Sequence, residues 1–114
     1  MKPLEIQTYE KHRELMDEAD NPLTSANRLE QLSEEDSSYI KWRVARHPNT
    51  PVTALVKLAY DDSIVVRYTA VANPQMPSQV LSDLLNDEDI EIRNEVLKNP
   101  NCPLEIKVEY LLSQ

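Results

Sequence analysis

The sequence predicts an all-α fold, a solenoid of about three two-helix repeats that follows an N-terminal capping helix. A proline-containing pair recurs at intervals of 26 residues, as Asn21-Pro22, His47-Pro48, Asn73-Pro74 and Asn99-Pro100. Apolar residues recur in register with these pairs. The 114 residues include no Gly, and this absence disfavours the tight hairpin turns on which many all-β folds depend.

The apolar register extends over five positions of the repeat. Each position is apolar in three successive copies, and chance does not explain so many coincidences. The five sets are Leu29, Leu55 and Leu81; Leu32, Leu58 and Leu84; Ile40, Val66 and Ile92; Val44, Ala70 and Val96; and Ala45, Val71 and Leu97. Self-similarity at a fixed period of this length indicates stacked helical units.

Each unit is predicted to contain two helices. In the second unit, the apolar residues within 52–59 are spaced as on one face of a helix of about ten residues. Pro51 suits the first helical position, and Thr50 before it can cap the free backbone N–H groups. A second helix is predicted over residues 64–72, where the next proline pair ends it. Neither helix can bury its apolar face alone, so the units are expected to stack.

These signals define one domain. Residues 1–20 are predicted to form the N-terminal capping helix, and residues 21–114 the repeat array. The array is divided into units 21–46, 47–72 and 73–98 and a partial unit, 99–114.

Two stretches of the array carry a proline-anchored turn after a short helix. They are residues 65–74 with the following Pro77, and residues 42–51, which contain His47-Pro48. Both resemble the leucine-rich repeat variant family, which is related in style to HEAT and armadillo arrays. The resemblance covers residues 21–114 and implies alternating α- and 3₁₀-helices wound into a right-handed superhelix. It implies no cofactor, because this chain lacks the N-terminal cysteine cluster that holds an iron–sulfur centre in the first characterised type.

Composition restricts the classes of partner and compartment. The formal net charge of −8 fits a solubilising acidic surface or attraction to a basic partner, and it disfavours loose association with nucleic acid or anionic membrane. Cys102 is the only cysteine, so no internal disulfide is possible. No apolar run has transmembrane or signal-peptide character. We therefore expect a cytoplasmic protein of bacterial type without a membrane partner.

Candidate catalytic residues form no pattern. His12, His47 and Cys102 are far apart in the predicted array, and three scattered ligands do not make a zinc site. A glycine-rich phosphate loop requires glycine, which is absent. The sequence therefore predicts a protein that is not an enzyme and that holds no metal or cofactor.

Two charged positions of the repeat form possible ladders. The bases are Lys41, Arg67 and Arg93, and the acids five residues earlier are Asp36, Asp62 and Glu88. A row of bases resembles a phosphate-binding track. However, one acid for every base favours a structural ladder, in which a turn carboxylate pairs with a base of its own or the next unit.

The most informative surface lies on the second helices, opposite their buried positions. In the first unit this stripe contains Tyr39, Trp42, Arg43 and Arg46, and in the second it contains Val65 and Tyr68. Aromatic and arginine side chains dominate binding hot spots, so the stripe is a candidate partner-binding surface. Alternatively, the N-terminal helix covers these aromatic residues. The third unit carries Glu91, Asn94, Glu95 and Lys98 there, which indicates ordinary solvent-exposed surface.

Together these features predict a non-enzymatic protein–protein interaction module. A specialised form is an acidic inhibitor or regulator of a basic partner. The alternative is a nucleic-acid-binding helical repeat protein with a local basic patch, for which only Lys41, Arg43, Arg46 and Arg67 are available. A monomer is expected, although open repeat ends leave a homodimer possible.

Overall fold

A computed structural model describes residues 2–114, which form eight α-helices and no strand. The helices are α1 (Leu4–Asp20), α2 (Ala26–Leu32), α3 (Ser38–Arg46), α4 (Val52–Ala59), α5 (Ile64–Ala72), α6 (Ser78–Leu84), α7 (Ile90–Lys98) and α8 (Leu104–Leu112). The fold is therefore all-α, as the sequence predicts.

The helices lie in two rows along an extended body of 62 × 26 × 16 Å. In one row α3 packs between α1 and α5, and α7 packs against α5 on its other side. Helices α2, α4 and α6 pack against α3, α5 and α7, respectively. Helices α2, α4, α6 and α8 begin at residues 26, 52, 78 and 104, so their starts have the same spacing as the proline pairs.

The second helices differ from those that the family resemblance implies. Helices α3, α5 and α7 each have nine residues and are α-helical, and residues 2–114 contain no 3₁₀-helix. Their first turns close with α-type bonds: the Lys41 N–H donates to Ser37 O and the Arg67 N–H to Ser63 O, both at 3.0 Å. A serine N-cap accounts for this start in α3 and α5, because its hydroxyl accepts from a free N–H of the first turn.

The hydrophobic core occupies the space between the two rows. Of the five apolar sets in the sequence, every member is buried except Leu97, which is half-buried. Met76 and Cys102 add to the core from the turns, and Ala19 adds to it from α1. Full burial of a leucine-sized side chain contributes about 1.5–3 kcal/mol, so the repeated leucines supply much of the stability.

The helix starts correct one sequence expectation. Pro51 is the N-cap of α4 rather than its first residue, and Thr50 does not cap that helix. Instead the Thr50 hydroxyl donates to Val44 O at 2.6 Å and satisfies a carbonyl at the C-terminal end of α3. Thr24 makes the equivalent bond to Glu18 O at the end of α1. Threonine at this position therefore stabilises the preceding helix, while proline sets the entry into the next.

A buried side-chain ladder joins the turns of successive units. The Asn99 amide donates to Val71 O at 2.7 Å and to Asn73 O at 3.0 Å, and Asn73 reaches Ala45 O in the same way at 3.2 Å. Their side-chain oxygens accept from backbone N–H groups two residues on. His47 reproduces this pattern, because one ring nitrogen bonds Asn21 O and the other accepts from the Asn49 N–H.

Replacing Asn99 with alanine is expected to lower the free energy of unfolding by about 2–4 kcal/mol. The substitution leaves the Val71 carbonyl and the Asn101 N–H without partners, whereas the Asn73 carbonyl keeps its bond from the Met76 N–H. Each buried group that loses its partner costs about 1–3 kcal/mol. Urea unfolding followed by circular dichroism measures the change. Asn86→Ala is the control, since Asn86 is exposed and makes no side-chain hydrogen bond to residues 2–114, and its change should stay within about 0.5 kcal/mol. Equal losses in the two variants would contradict the ladder.

The two ends of the body differ in how their helices are buried. Helix α1 has 17 residues and buries Ala19 against α3, whereas α8 has no fully buried residue. Ile106 and Tyr110 of α8 pack against the core, but Leu104 and Leu112 are 71% and 82% exposed.

No helix among residues 2–114 combines the length and apolarity that a membrane span requires.

Candidate protein-interaction face

The aromatic residues of the predicted stripe lie on one face of the odd-numbered helices. Tyr39 of α3 is 67% exposed, and Val65 and Tyr68 of α5 are 55% and 39% exposed. Trp42 is partly buried, because its ring packs against the core. A groove of about 340 Å³ separates α3 from α5, and Tyr39, Trp42 and Val65 line it together with Ser38 and Ser63. The structure thus brings the aromatic part of the stripe together.

A second groove, of about 370 Å³, lies between α5 and α7. Ile64, Val65 and Tyr68 line it from α5, and the wall from α7 consists of Glu91, Asn94, Glu95 and Lys98. Val65 lines both grooves, so the open surface continues across three helices. We call this surface the α3/α5/α7 face.

The two arginines of the stripe are engaged within the chain. The Asp20 carboxylate at the end of α1 accepts from Arg43 at 3.0 Å and from Arg46 at 2.9 Å. Both guanidinium groups also lie over the Trp42 ring, at 5.2 Å for Arg43 and 4.2 Å for Arg46. Such cation–π contacts hold an aromatic ring in a fixed orientation. The arginines therefore fix Trp42 and attach α3 to α1.

Helix α1 covers part of the stripe and leaves the rest open. The His12 and Tyr39 rings form a T-shaped contact at a centroid distance of 6.4 Å, and the His12 Nε2 lies 2.8 Å from Ser37 Oγ. With Asp20, these contacts occupy the side of α3 that faces α1. Val65 and Tyr68 lie on the far side of α3 and stay exposed. Helix α1 therefore contacts only the α3 part of the stripe, and partner binding by the open α5 part stays a prediction.

Replacing Asp20 with asparagine is expected to lower the free energy of unfolding by about 0.5–1 kcal/mol at neutral pH, the range for partly exposed ion pairs. Burial tends to raise the pKa of Asp20, but hydrogen bonds from Arg46 and Arg43 and their charges outweigh it and hold the pKa below its ordinary value. Because the folded-state pKa is lowered, the stabilisation is complete above the unfolded value of about 4 and is lost as the pH falls through the folded value.

The measurement is urea unfolding of the wild type and Asp20→Asn at pH 7 and at pH 3. The difference in the free energy of unfolding between the two proteins should be smaller at pH 3 than at pH 7. Asp17→Asn serves as the control, since Asp17 is exposed on the same helix and forms no ion pair among the described residues. A stability difference that is independent of pH would contradict the role assigned to the Asp20 charge.

The bases of the predicted ladder bond across units. Lys41 Nζ lies 3.0 Å from Asp61 Oδ1, and Arg67 Nε lies 3.2 Å from Asp87 Oδ2. Arg67 also donates to the Asp61 and Asp62 carbonyls, at 2.9 and 3.1 Å. Arg93 donates to the Tyr110 hydroxyl at 2.9 Å. Each of these contacts links two parts of the fold, which supports a structural role for the ladder.

The acids of the ladder differ from those predicted. Within residues 2–114 the predicted Asp36, Asp62 and Glu88 side chains form no ion pair, and the carboxylates that bind are one residue earlier, Asp61 and Asp87. The reason is a local turn. Asp61 accepts from the Ser63 N–H at 3.0 Å and Asp87 from the Asp89 N–H at 2.9 Å. This Asx-type turn directs the carboxylate toward the base of the preceding unit.

The bases of the nucleic-acid alternative are all paired within the chain. Lys41 and Arg67 each have their own aspartate, and Arg43 and Arg46 share Asp20. Arg67 is also nearly buried, with 11% of its side chain exposed. Phosphate binding requires bases that are free to exchange their counterions, and these four are held by carboxylates of the chain itself.

The candidate catalytic residues lie in separate places. His12 contacts Ser37, His47 is buried in the turn ladder, and Cys102 is buried in the core, where burial raises the pKa of its thiol. Among residues 2–114 no three histidine, cysteine, aspartate or glutamate side chains are grouped closely enough to hold a metal ion.

Two parts of this arrangement are not apparent from the sequence, the support of Trp42 by α1 and the acidic wall on α7. Asp20 lies within the predicted cap, but it precedes Arg46 by 26 residues and so occupies the same repeat position on the neighbouring helix. Glu91 and Glu95 are predicted to be ordinary surface, but they occupy the repeat positions of Tyr39 and Arg43. The shared repeat position is the signal that could identify these residues. It is hard to recognise because the residue type at that position differs between units.

Comparison of the chain with protein-family models, with curated proteins and with solved structures found no match. The resemblance to the leucine-rich repeat variant family therefore stays a prediction.

Proposed function

We propose that this chain is a non-enzymatic interaction module that binds a protein partner on the α3/α5/α7 face. The observation that carries the proposal is the pair of grooves joined at Val65, which leaves one open surface across three helices. Contiguous exposed apolar surface of this kind is typical of protein-interaction sites. Tyr39, Trp42 and Tyr68 supply the aromatic side chains that contribute most to binding energy.

We further propose that the helices form a right-handed solenoid of three 26-residue repeats, of the leucine-rich repeat variant type, that begins after α1. The recurring helix starts support this architecture, as does the asparagine ladder, whose bonds span 26 and 28 residues. A repeat array suits a binding function, because its stacked helices present an extended surface on a rigid frame.

The arginines have a supporting role in this proposal. Because Arg43 and Arg46 are bonded to Asp20 and lie over the indole, they hold Trp42 in the orientation in which it lines the first groove. A fixed aromatic anchor binds more tightly than a mobile one, since less conformational freedom is lost on binding. Half of the Arg46 side chain remains exposed, so it is also available at the edge of the contact.

The chain acts as a monomer in the cytoplasm in this proposal. The single, buried cysteine suits a reducing compartment. No nucleic-acid function is proposed, because the bases on which it depended are paired with aspartates.

The combined substitution of Trp42 and Tyr68 by alanine tests the proposed function. We expect affinity for the partner to fall by about a hundredfold or more, because each anchor contributes at least about 2 kcal/mol. The partner is captured from source cells on the tagged chain and identified by mass spectrometry, and its affinity for each variant is then measured by calorimetry.

The matched control is Tyr9→Ala with Leu104→Ala. Both residues are exposed, Tyr9 at 64% and Leu104 at 71%, and lie on α1 and α8, away from the grooves. The control should bind as the wild type does. Undiminished binding by the Trp42/Tyr68 variant, with its helicity intact, would overturn the proposed function.

A further inference from the structure

The groove between α5 and α7 has two chemically different walls. Ile64, Val65 and Tyr68 form an apolar wall on α5, and Glu91 and Glu95 place two carboxylates on the opposite wall. An occupant must therefore present apolar groups to one side and positive charge to the other.

The carboxylates of this groove are less neutralised than others in the fold. Asp61 and Asp87 lie within 3.0 and 3.2 Å of their bases. Among residues 2–114 the one ion-pair partner of Glu95 is Lys98, at the longer distance of 3.8 Å; that lysine is 72% exposed and the Glu95 side chain 15% exposed. Glu91 is exposed and forms no ion pair within residues 2–114. The Glu95 carboxylate raises the pKa of the Tyr68 phenol, first through hydrogen bonding and then through its negative charge.

Two more acidic side chains lie in the turns before the helices that form the groove. Ile64 and Glu91 lie at the starts of α5 and α7, and the turns before these helices contain Asp62 and Glu88. Both are exposed and form no ion pair within the described part of the chain, and they line a separate pocket beside Arg67 rather than the groove itself. Negative charge at this end of the helices adds to the attraction of positively charged segments and speeds their association.

We propose that the occupant of the α5/α7 groove is a lysine- or arginine-rich amphipathic helix of the partner, an inference that rests on the proposed function. Glu91 and Glu95 are one helical turn apart, about 6 Å along the axis of α7. Bases four residues apart on a helix aligned with α7 have the same separation. The apolar face of that helix contacts Val65 and Tyr68, in the way that amphipathic helices bind apolar grooves. Membranes with anionic headgroups and nucleic acids are repelled by the same carboxylates.

The probe for this inference is a labelled synthetic peptide of about 18 residues, with leucines on one helical face and lysines on the other. Its counterpart has every lysine replaced by glutamate. Fluorescence anisotropy with the full chain is expected to show binding of the lysine peptide and none of the glutamate peptide. Glu91→Gln with Glu95→Gln should weaken binding of the lysine peptide by about tenfold, from the loss of two partly exposed ion pairs.

Glu105→Gln with Glu109→Gln is the matched control on α8. It removes the same charge at the same spacing from exposed positions that lie outside the groove. It should change peptide affinity by less than about threefold, since only long-range attraction is altered. Equal weakening by both double variants, or binding of the glutamate peptide, would overturn the inference. Circular dichroism and urea unfolding confirm that both variants are folded.

Affinity measurements with the natural partner distinguish failure of this inference from failure of the proposed function. If Glu91→Gln with Glu95→Gln leaves partner affinity unchanged while Trp42→Ala with Tyr68→Ala abolishes binding, the proposed function stands and the basic-helix inference fails. If neither variant changes partner affinity, both fail. Loss of affinity in both variants, with the α8 control unaffected, supports both.

Discussion

Replacing Arg67 with alanine is expected to lower the free energy of unfolding by about 3–5 kcal/mol, the usual cost of breaking a buried ion pair by removing one partner. Only 8% of the Asp87 side chain is exposed, so the substitution leaves a buried carboxylate without its base. It also removes the donor that bonds the Asp61 and Asp62 carbonyls at the turn before α5. Because a domain of this size is stabilised by about 5–15 kcal/mol, the loss is a large part of the total.

Chemical unfolding of three variants checks this value. Arg93→Ala removes the residue at the same repeat position, which bonds Tyr110 and the Asp87 carbonyl but no carboxylate, and should cost about 1–2 kcal/mol. Arg67→Met with Asp87→Leu removes both charges and should recover part of the loss, since no buried charge is left without its partner. The bonds to the Asp61 and Asp62 carbonyls and to the Asp89 N–H remain lost in this variant. Arg67→Ala with unchanged stability would show that the ladder is not structural.

Removing 26 residues in register is expected to leave a folded, shorter protein. Deletion of residues 67–92 joins Val66 to Arg93, so the first part of α5 continues as the second part of α7. Val66 and Val96 are then four residues apart and share one face of the new helix, as Val66 and Ala70 do now. In a repeat array each unit contacts only its neighbours, so the remaining units keep their interfaces.

The contrasting deletion removes 24 residues, 67–90, from the same starting point. Val66 is then followed by Glu91, and Val96 falls about 200° out of phase with its position in the in-register variant. We expect this variant to lose most of its helical circular dichroism signal and its cooperative unfolding. The in-register variant should keep both, at lower stability than the full chain. Similar behaviour of the two deletions would contradict the 26-residue solenoid.

The helices were predictable because their signals are local and repeated. Three proline-bounded turns and five apolar positions define where each helix lies, and each copy repeats the same chemistry. The ladder of buried side chains was partly predictable, since Asn73 and Asn99 suit a turn on their own. What the turn does not reveal is the second bond, from the amide to the preceding unit, because that contact exists only once units stack.

The choice of acid in the ladder was not predictable from residue type. Two adjacent repeat positions are acidic in every unit, with Asp61 beside Asp62 and Asp87 beside Glu88. Which of them reaches the base is decided by the turn that the first of each pair makes with a backbone N–H two residues on. The two acidic positions are adjacent in the sequence, so the pattern of charges alone does not indicate which of them pairs with the base.

The candidate face was predictable in its aromatic part only. Tyr39, Trp42 and Tyr68 stand out against a chain that contains no Phe and one Trp. The engagement of Arg43 and Arg46 by Asp20 was not apparent, because it joins the end of the cap to the middle of a repeat helix. The acidic wall on α7 was not apparent either, since isolated glutamates on a helix are typical of solvent-exposed surface.

The central claim, that the α3/α5/α7 face binds a protein, is tested most directly by site-specific photo-cross-linking in source cells. A photoreactive phenylalanine analogue replaces Tyr68 in one variant and Gln79 in the other; Gln79 is exposed on α6 and lines neither groove. The proposed function predicts an adduct of defined mass after irradiation of the position 68 variant, absent when Trp42 is also replaced by alanine, and no such adduct from position 79. An adduct that forms equally from both positions, or none from position 68, would contradict it.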